Sequence, residues 1–496
     1  MKFRAKSAVR LVGICAVSIG VFSGSPLFLI KVSGMEVSSL DVSSMEVSSM
    51  EVSGVSIENE ALTSTSAFLD RCRQEDERIP DAEYGRLIAL CRQALAEGRG
   101  PASLAPLKAN FSLRLNEIEL YTFWAIDGYL GDLVKLQAAL GLLNNCESDL
   151  KSLRLWEIDP YLTGRCLYLR ASIFMLEAYR LSQLPQFEKV LPLLRQARSL
   201  LGEAGSKEEI LALHALGRAY ADLAFDDETQ EERYEDLMGN AVRAFEEALA
   251  LSSRHGAFMR VTLMAQLGNA LNNMDESAKA LDMLRAALSA VGPGREPNRF
   301  LALHLDIAQV LTARYVETLE EADLLSAEEA SDQAFLISNS LAPSRVVPHV
   351  RFNLAMTLFT IAREKHDPAR NAQAIHEIEK VLDIWTFDRF ADLHLLAADA
   401  LCRFLAVQES MTRDPLVIDK AVRFIVDVIA RCDAEDRRNN QQSDQQNGHR
   451  KILGSLYERL SDFYFKRALH EEGEKRQEAY DLSIAAAQKS EELRAE

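Results

Sequence analysis

The chain is poor in the residues that would break or decorate a simple fold. Proline and glycine number only 13 and 23 in 496 residues, which excludes a collagen-like or Pro/Gly-rich disordered chain. Basic residues are in deficit, 56 against 74 acids, for a net charge of −18. That balance opposes general affinity for nucleic acid phosphates or anionic lipid, so neither is an expected partner. The seven cysteines include no C-x-x-C pair, and the chain is far too long for a disulfide-stapled miniature fold. Cys72, Cys91, Cys166 and Cys402 lie among Leu, Ile and Phe, where a thiol acts as a small hydrophobe.

The signatures of catalysis are missing too. There is no G-x-G-x-x-G, no G-x-x-x-x-G-K-[ST], no H-E-x-x-H and no G-x-S-x-G. GEAGSK at 202–207 follows a helix-like segment rather than a strand, and the acidic run at 226–236 lacks the glycine of a calcium loop. His376-Glu377 and His470-Glu471 lack the second histidine that would place two ligands on one helix face. No enzyme, cofactor or metal site is expected.

Long hydrophobic runs are absent but for one. Residues 11–30 carry no charge and follow Lys2, Arg4, Lys6 and Arg10. A basic stretch before an apolar one is the layout of a secretory signal or membrane anchor, and residues 1–34 are expected to export or tether the chain. A start at Met35, Met45 or Met50 would instead leave a cytoplasmic protein, with a net charge of −23 if residues 1–34 are absent. Buried free thiols suit that reducing compartment, so the two signals disagree. Residues 35–60 contain a five-residue repeat, MEVSS, LDVSS, MEVSS, MEVSG, expected to form an acidic linker.

What is present from residue 61 onward is helical periodicity. Apolar residues recur at three- and four-residue steps among Leu, Ala, Glu, Arg and Gln. Short breaks punctuate them at GRGP 98–101, Asp159-Pro160, Leu184-Pro185, GPGREP 292–297, Ala342-Pro343 and Asp367-Pro368. The spacing predicts an all-α chain of helical pairs. Residues 61–204 are read as further pairs, and the polar stretch 433–450 as a disordered loop, since it can bury almost nothing.

The pairs repeat. In 261–294, Leu267-Gly268 and Leu271 precede Ala280, Leu284 and Ala287. Looser copies run from Leu216-Gly217 to Ala248, Ile307-Ala308 to Ile337, Leu354-Ala355 to Val381, Ala397-Ala398 to Val428, and Leu460-Ser461 to Ala486. The small residue lets two helices approach closely. Over 205–496 this resembles the tetratricopeptide repeat family. The resemblance implies a right-handed superhelical solenoid whose first helices line a concave groove.

It also implies where a ligand would sit. Asn269 follows the Leu-Gly pair, where peptide-binding members carry an amide that fixes an extended backbone, with Asn272 and Asn273 one turn on. Neighbouring units offer His214 and Arg218, Gln309, and Asn353 with Arg351. Ala265 replaces the lysine of the family's carboxylate clamp, so recognition of an acidic C-terminal tail is not expected. The function implied is a scaffold binding a peptide or protein partner. The alternative is a regulatory sensor responding to a peptide or small ligand.

Overall fold

The computed structural model describes residues 54–74, 81–97, 104–127, 133–181, 187–204, 206–225, 231–255, 259–291, 296–338, 347–438 and 446–495. The expected leader and the five-residue repeat lie outside them. Among the described residues there are nineteen helices and no strand. None is long and apolar enough to cross a membrane.

The chain divides into two compact units, one ending at Glu276 and the other beginning at Ser277. The first holds α1 (Gly54–Gln74), α2 (Asp81–Glu97), α3 (Leu104–Asp127), α4 (Leu133–Ser152), the short α5 (Leu155–Ile158), α6 (Pro160–Leu181), α7 (Phe187–Glu203), α8 (Glu208–Ala224), α9 (Glu231–Ser252) and α10 (Arg260–Asn273). Each helix packs on its successor where both are long, and the first helices of successive pairs also touch: α1 on α3, α3 on α6, α6 on α8. Contact only with neighbours is the mark of a helical-repeat array.

The second unit repeats the pattern. It holds α11 (Ser277–Ala290), α12 (Pro297–Thr318), α13 (Glu321–Ser338), α14 (Val347–Lys365), α15 (Pro368–Ile384), α16 (Phe387–Thr412), α17 (Pro415–Arg438), α18 (Gln446–His470) and α19 (Gly473–Ala495). Here α12 packs on α14, α14 on α16 and α16 on α18, beside the sequential contacts.

The two helices of a pair differ in how they are buried. In α8 every residue from Ile210 to Ala224 is buried except Asp222, because its pair partner and both flanking pairs surround it. The second helices bury one stripe, as α9 does with Tyr234, Met238, Ala241, Phe245 and Ala248. The expected second-helix positions Ala280, Leu284 and Ala287, then Ala374, Ile378 and Val381, then Ala421, Ile425 and Val428, are all buried. In α13 the stripe runs through Ala330, Ala334 and Ser338, so Ile337 is only partly covered.

Two glycines set the distance within their pairs. A Cβ on Gly217 would lie 2.5 Å from Phe245 Cε1, and one on Gly164 would lie 2.8 Å from Leu201 Cγ. Helix ends are less conventional. Leu319 and Arg413 close α12 and α16 with φ of 60° and 52°, their N–H groups donating to Tyr315 O and Glu409 O at 2.7 Å. Asp367 opens α15 by accepting from Ala369 N and Arg370 N, ahead of Pro368.

The loop expected at 433–450 is shorter than its composition suggested. Helix α17 continues to Arg438 and α18 begins at Gln446, leaving 439–445 outside the described residues. Ala, Glu, Arg and Gln are strong helix formers, so polarity alone does not mark a helix end. All six cysteines from Cys72 onward are buried and free. Burial pushes the Cys91 thiol up to about 12, the chemistry of an inert small hydrophobe.

Candidate functional site

A small residue that faces its pair partner turns the next residue about 100° around the helix, onto the face shared by successive first helices. In the first unit that next residue is Arg165 after Gly164 and Arg218 after Gly217, and Asn269 follows Gly268 in sequence on α10. Each is only 4 % exposed.

The row is continuous at its beginning. Asn116 Nδ2 on α3 donates to Thr65 Oγ1 on α1 at 2.8 Å, and Arg165 Nη1 on α6 donates to Asn116 Oδ1 at 3.0 Å. The Thr65 hydroxyl donates in turn to the Ala61 carbonyl at 2.6 Å. Arg165 Nη2 meets Glu119 Oε2 at 2.8 Å, an ion pair shut away from water. Hydrogen bonds thus tie three first helices through side chains.

Farther along, the row is buried but incompletely bonded. Thr262, Gln266, Asn269 and Asn273 fall at i, i+4, i+7 and i+11 of α10 and share one face. His214 stands one turn before Arg218 on α8. His214, Thr262 and Gln266 are each 2 % exposed, yet His214 Nε2, Thr262 Oγ1 and Gln266 Nε2 have no hydrogen-bond partner. Asn273 Nδ2 is likewise without one, although the Asn273 carbonyl accepts from Tyr234 Oη at 3.0 Å. Asn272 is half-buried, and its carbonyl accepts from Asp275 N at 3.1 Å in the turn after α10.

The second unit carries its own version. Gln309 follows Ala308 on α12, is buried, and leaves Oε1 without a partner. Asp399 follows Ala398 on α16 and accepts from Ser455 Oγ and Arg459 Nε on α18, both at 3.0 Å. Asn353 is buried on α14, its carbonyl accepting from Thr357 Oγ1 at 2.9 Å. Arg351 points elsewhere. It pairs with Glu377 of α15 and donates to the Ser338 carbonyl of α13, so it braces the array rather than lining the row.

The sequence-derived residues therefore separate. His214, Arg218, Asn269, Asn272 and Asn273 belong to one unit; Gln309, Arg351 and Asn353 belong to the other. Sequence reading overlooked Thr65, Asn116, Glu119, Arg165, Thr262 and Gln266. Two signals were available: Gly164-Arg165 repeats Gly217-Arg218, and the spacing from Thr262 to Asn273 traces a single helical face.

A separate cavity of about 360 Å³ lies among Leu95, Asn110, Arg114, Glu117, Ile118 and Leu142. Its charges are committed, Arg114 to Asp149 and Glu117 to Arg92, both at 2.8 Å. Among the described residues no cluster of His, Cys, Asp or Glu could hold a metal ion.

Burial, helped by the Arg218 charge, lowers the His214 pKa to about 3. The unfolded chain binds that proton near pH 6.5, so between about 6.5 and 3 the unfolded state holds more protons. Stability contributed by neutral His214 is therefore complete above pH 6.5 and falls as the pH drops through that window. The expected slope is up to about 1.4 kcal/mol per pH unit. Urea unfolding from pH 7 to 4 should show a shallower decline for His214→Asn than for the parent chain.

No family model matches the sequence, and no curated protein matches it. Among solved structures the chain is similar to the apo form of RapI at 14 % identity and a TM-score of 0.46, covering 88 % of this chain and 98 % of that one. It is similar to a Rap protein complexed with Competence and Sporulation Factor at 15 % identity and 0.43, covering 84 % and 99 %. It is similar to NprR in complex with its cognate peptide NprX at 12 % and 0.41, covering 76 % and 93 %.

Proposed function

We propose that the polar row of the first unit binds the main chain of an extended peptide or of a partner's extended segment. The observation that carries this reading is the set of shielded polar atoms without partners: His214 Nε2, Thr262 Oγ1 and Gln266 Nε2. Each such atom costs about 1–3 kcal/mol in a fold that nothing completes. An apolar side chain at the same place would avoid that cost. An extended backbone offers carbonyl acceptors and N–H donors along its length, and amide and hydroxyl side chains match both kinds.

The chemistry supported is binding. An adaptor and a peptide-responsive regulator both use such a row; they differ in whether the ligand is the partner or controls access to one.

The test is in-cell crosslinking of the full chain, followed by mass spectrometry of what it captures. The comparison is a chain carrying Gln266→Leu and Asn269→Ala. A discrete peptide or protein lost from the substituted chain supports the reading. An unchanged set of captured partners rejects it.

A further inference from the structure

We infer that Cys146 on α4 and Cys166 on α6 form a disulfide when the chain folds in the presence of an oxidising small-molecule disulfide. This modification site does not depend on what the polar row binds.

The first argument is placement. Helices α4 and α6 pack directly on each other, and both cysteines are fully buried. Their thiols are hydrogen-bonded to each other, Cys166 donating to Cys146. A disulfide requires Cα atoms within about 7 Å and side chains that converge. Convergence is what the thiol–thiol hydrogen bond reports. Other cysteines are engaged differently. Cys72 Sγ lies 3.8 Å from Tyr84 Oη, and Cys91 is hydrogen-bonded to Thr65.

The second argument is chemistry. The hydrogen bond from Cys166 holds the Cys146 thiol below the usual thiol range, and the Arg114 charge acts in the same direction, against burial. The same contact, together with burial, pushes Cys166 up. Cys146 is therefore the nucleophile. Its thiolate attacks one sulfur of the oxidising disulfide, forming a mixed disulfide and expelling a thiolate that takes up the Cys146 proton. Cys146 then carries no charge to hold the Cys166 proton. Cys166 ionises and attacks Cys146 Sγ, and the second leaving thiolate takes up that proton. Two protein thiols are oxidised, and one small-molecule disulfide is reduced to two thiols.

Burial decides when this happens. The native pair offers no surface to a reagent, so exchange takes place before α4 and α6 close or during local opening. Once they close, the fold holds the sulfurs together and shields the bond from reductant. The bond encloses residues 147–165, which include the end of α4 and the short α5. Closing that loop removes conformations from the unfolded chain. It also ties α4 to the helix whose Arg165 holds Asn116 and Glu119. A core that takes this bond when oxidant is present, and packs as free thiols when it is absent, suits an oxidising and a reducing compartment alike.

The experiment refolds the full chain from urea in equimolar reduced and oxidised glutathione. Remaining thiols are blocked with N-ethylmaleimide, and the unreduced digest is mapped by mass spectrometry. The expected product joins the Cys146 peptide to the Cys166 peptide in most chains. Its urea midpoint should lie above that of chain refolded with dithiothreitol. Cys146→Ala, checked for helix content by circular dichroism, should abolish both the link and the difference in midpoint. Blocked thiols at both positions, links scattered over other cysteines, or a midpoint lowered by the bond would overturn the inference. So would a midpoint difference that survives in Cys146→Ala.

Discussion

Arg165→Ala is expected to destabilise the first unit by about 3–5 kcal/mol, the usual consequence of removing one partner from a buried ion pair. Arg165 and Glu119 are both sealed from water, and no solvent can replace the lost guanidinium. The damage would spread beyond the pair. Asn116 Oδ1 loses its donor, and the side-chain links from α1 through α3 to α6 are cut at their third member. Urea unfolding followed by circular dichroism measures the loss. Arg165→Met combined with Glu119→Leu should recover much of it, because an apolar pair leaves no orphaned charge. Failure of that double variant to recover would mean that the network, rather than the unpaired carboxylate, carries the stability.

Gly217→Leu is expected to cost about 1–3 kcal/mol or more, by overpacking. Even a Cβ at this position would meet three atoms of the Phe245 ring at 2.5–2.8 Å. Phe245 is itself buried at the centre of the stripe on α9, so the ring has no open space to enter. The pair α8 and α9 must separate, or the ring must leave its rotamer. Gly217→Ala should show a smaller loss, and adding Phe245→Leu should restore part of it. Equal stability of Gly217→Leu and the parent chain in thermal unfolding would remove this glycine from the account of close packing.

How much of this was legible in the sequence depends on which physical signal each element leaves. The pair α8 and α9 was fully legible. Leu216-Gly217, Tyr220, Ala241, Phe245 and Ala248 mark the two faces that meet, and all are buried, with the Phe245 ring filling the space beside Gly217. Earlier pairs were legible only as helices, since α6 shows its small residue as Thr163-Gly164 rather than Leu-Gly. The ends of α12 and α16 were hidden because Leu319 and Arg413, not glycine, adopt the left-handed conformation there.

The buried polar row was legible only in part. Asn269 and Arg218 follow from their place after the small residue. Arg351 does not share that register: it sits four positions before Ala355 and turns toward α13 and α15. The resemblance gave it as groove surface of a neighbouring repeat, and nothing in the sequence marks its guanidinium's reach to Glu377 and the Ser338 carbonyl. Burial was the larger surprise. Polar residues on a helix face read as solvated, and sequence periodicity cannot distinguish a solvated face from one shielded by neighbouring pairs. His214, Thr262, Gln266, Asn269 and Gln309 are shielded.

The unfolding free energy of Gln266→Leu is the most direct test of the central claim, that the row keeps polar atoms for a ligand rather than for the fold. Leucine fills nearly the same space and removes the Nε2 donor that has no partner. The account predicts stability equal to or greater than that of the parent chain in urea titration of the isolated protein. A loss of more than about 1 kcal/mol would show that the amide serves the fold, and the row would no longer stand as a binding site.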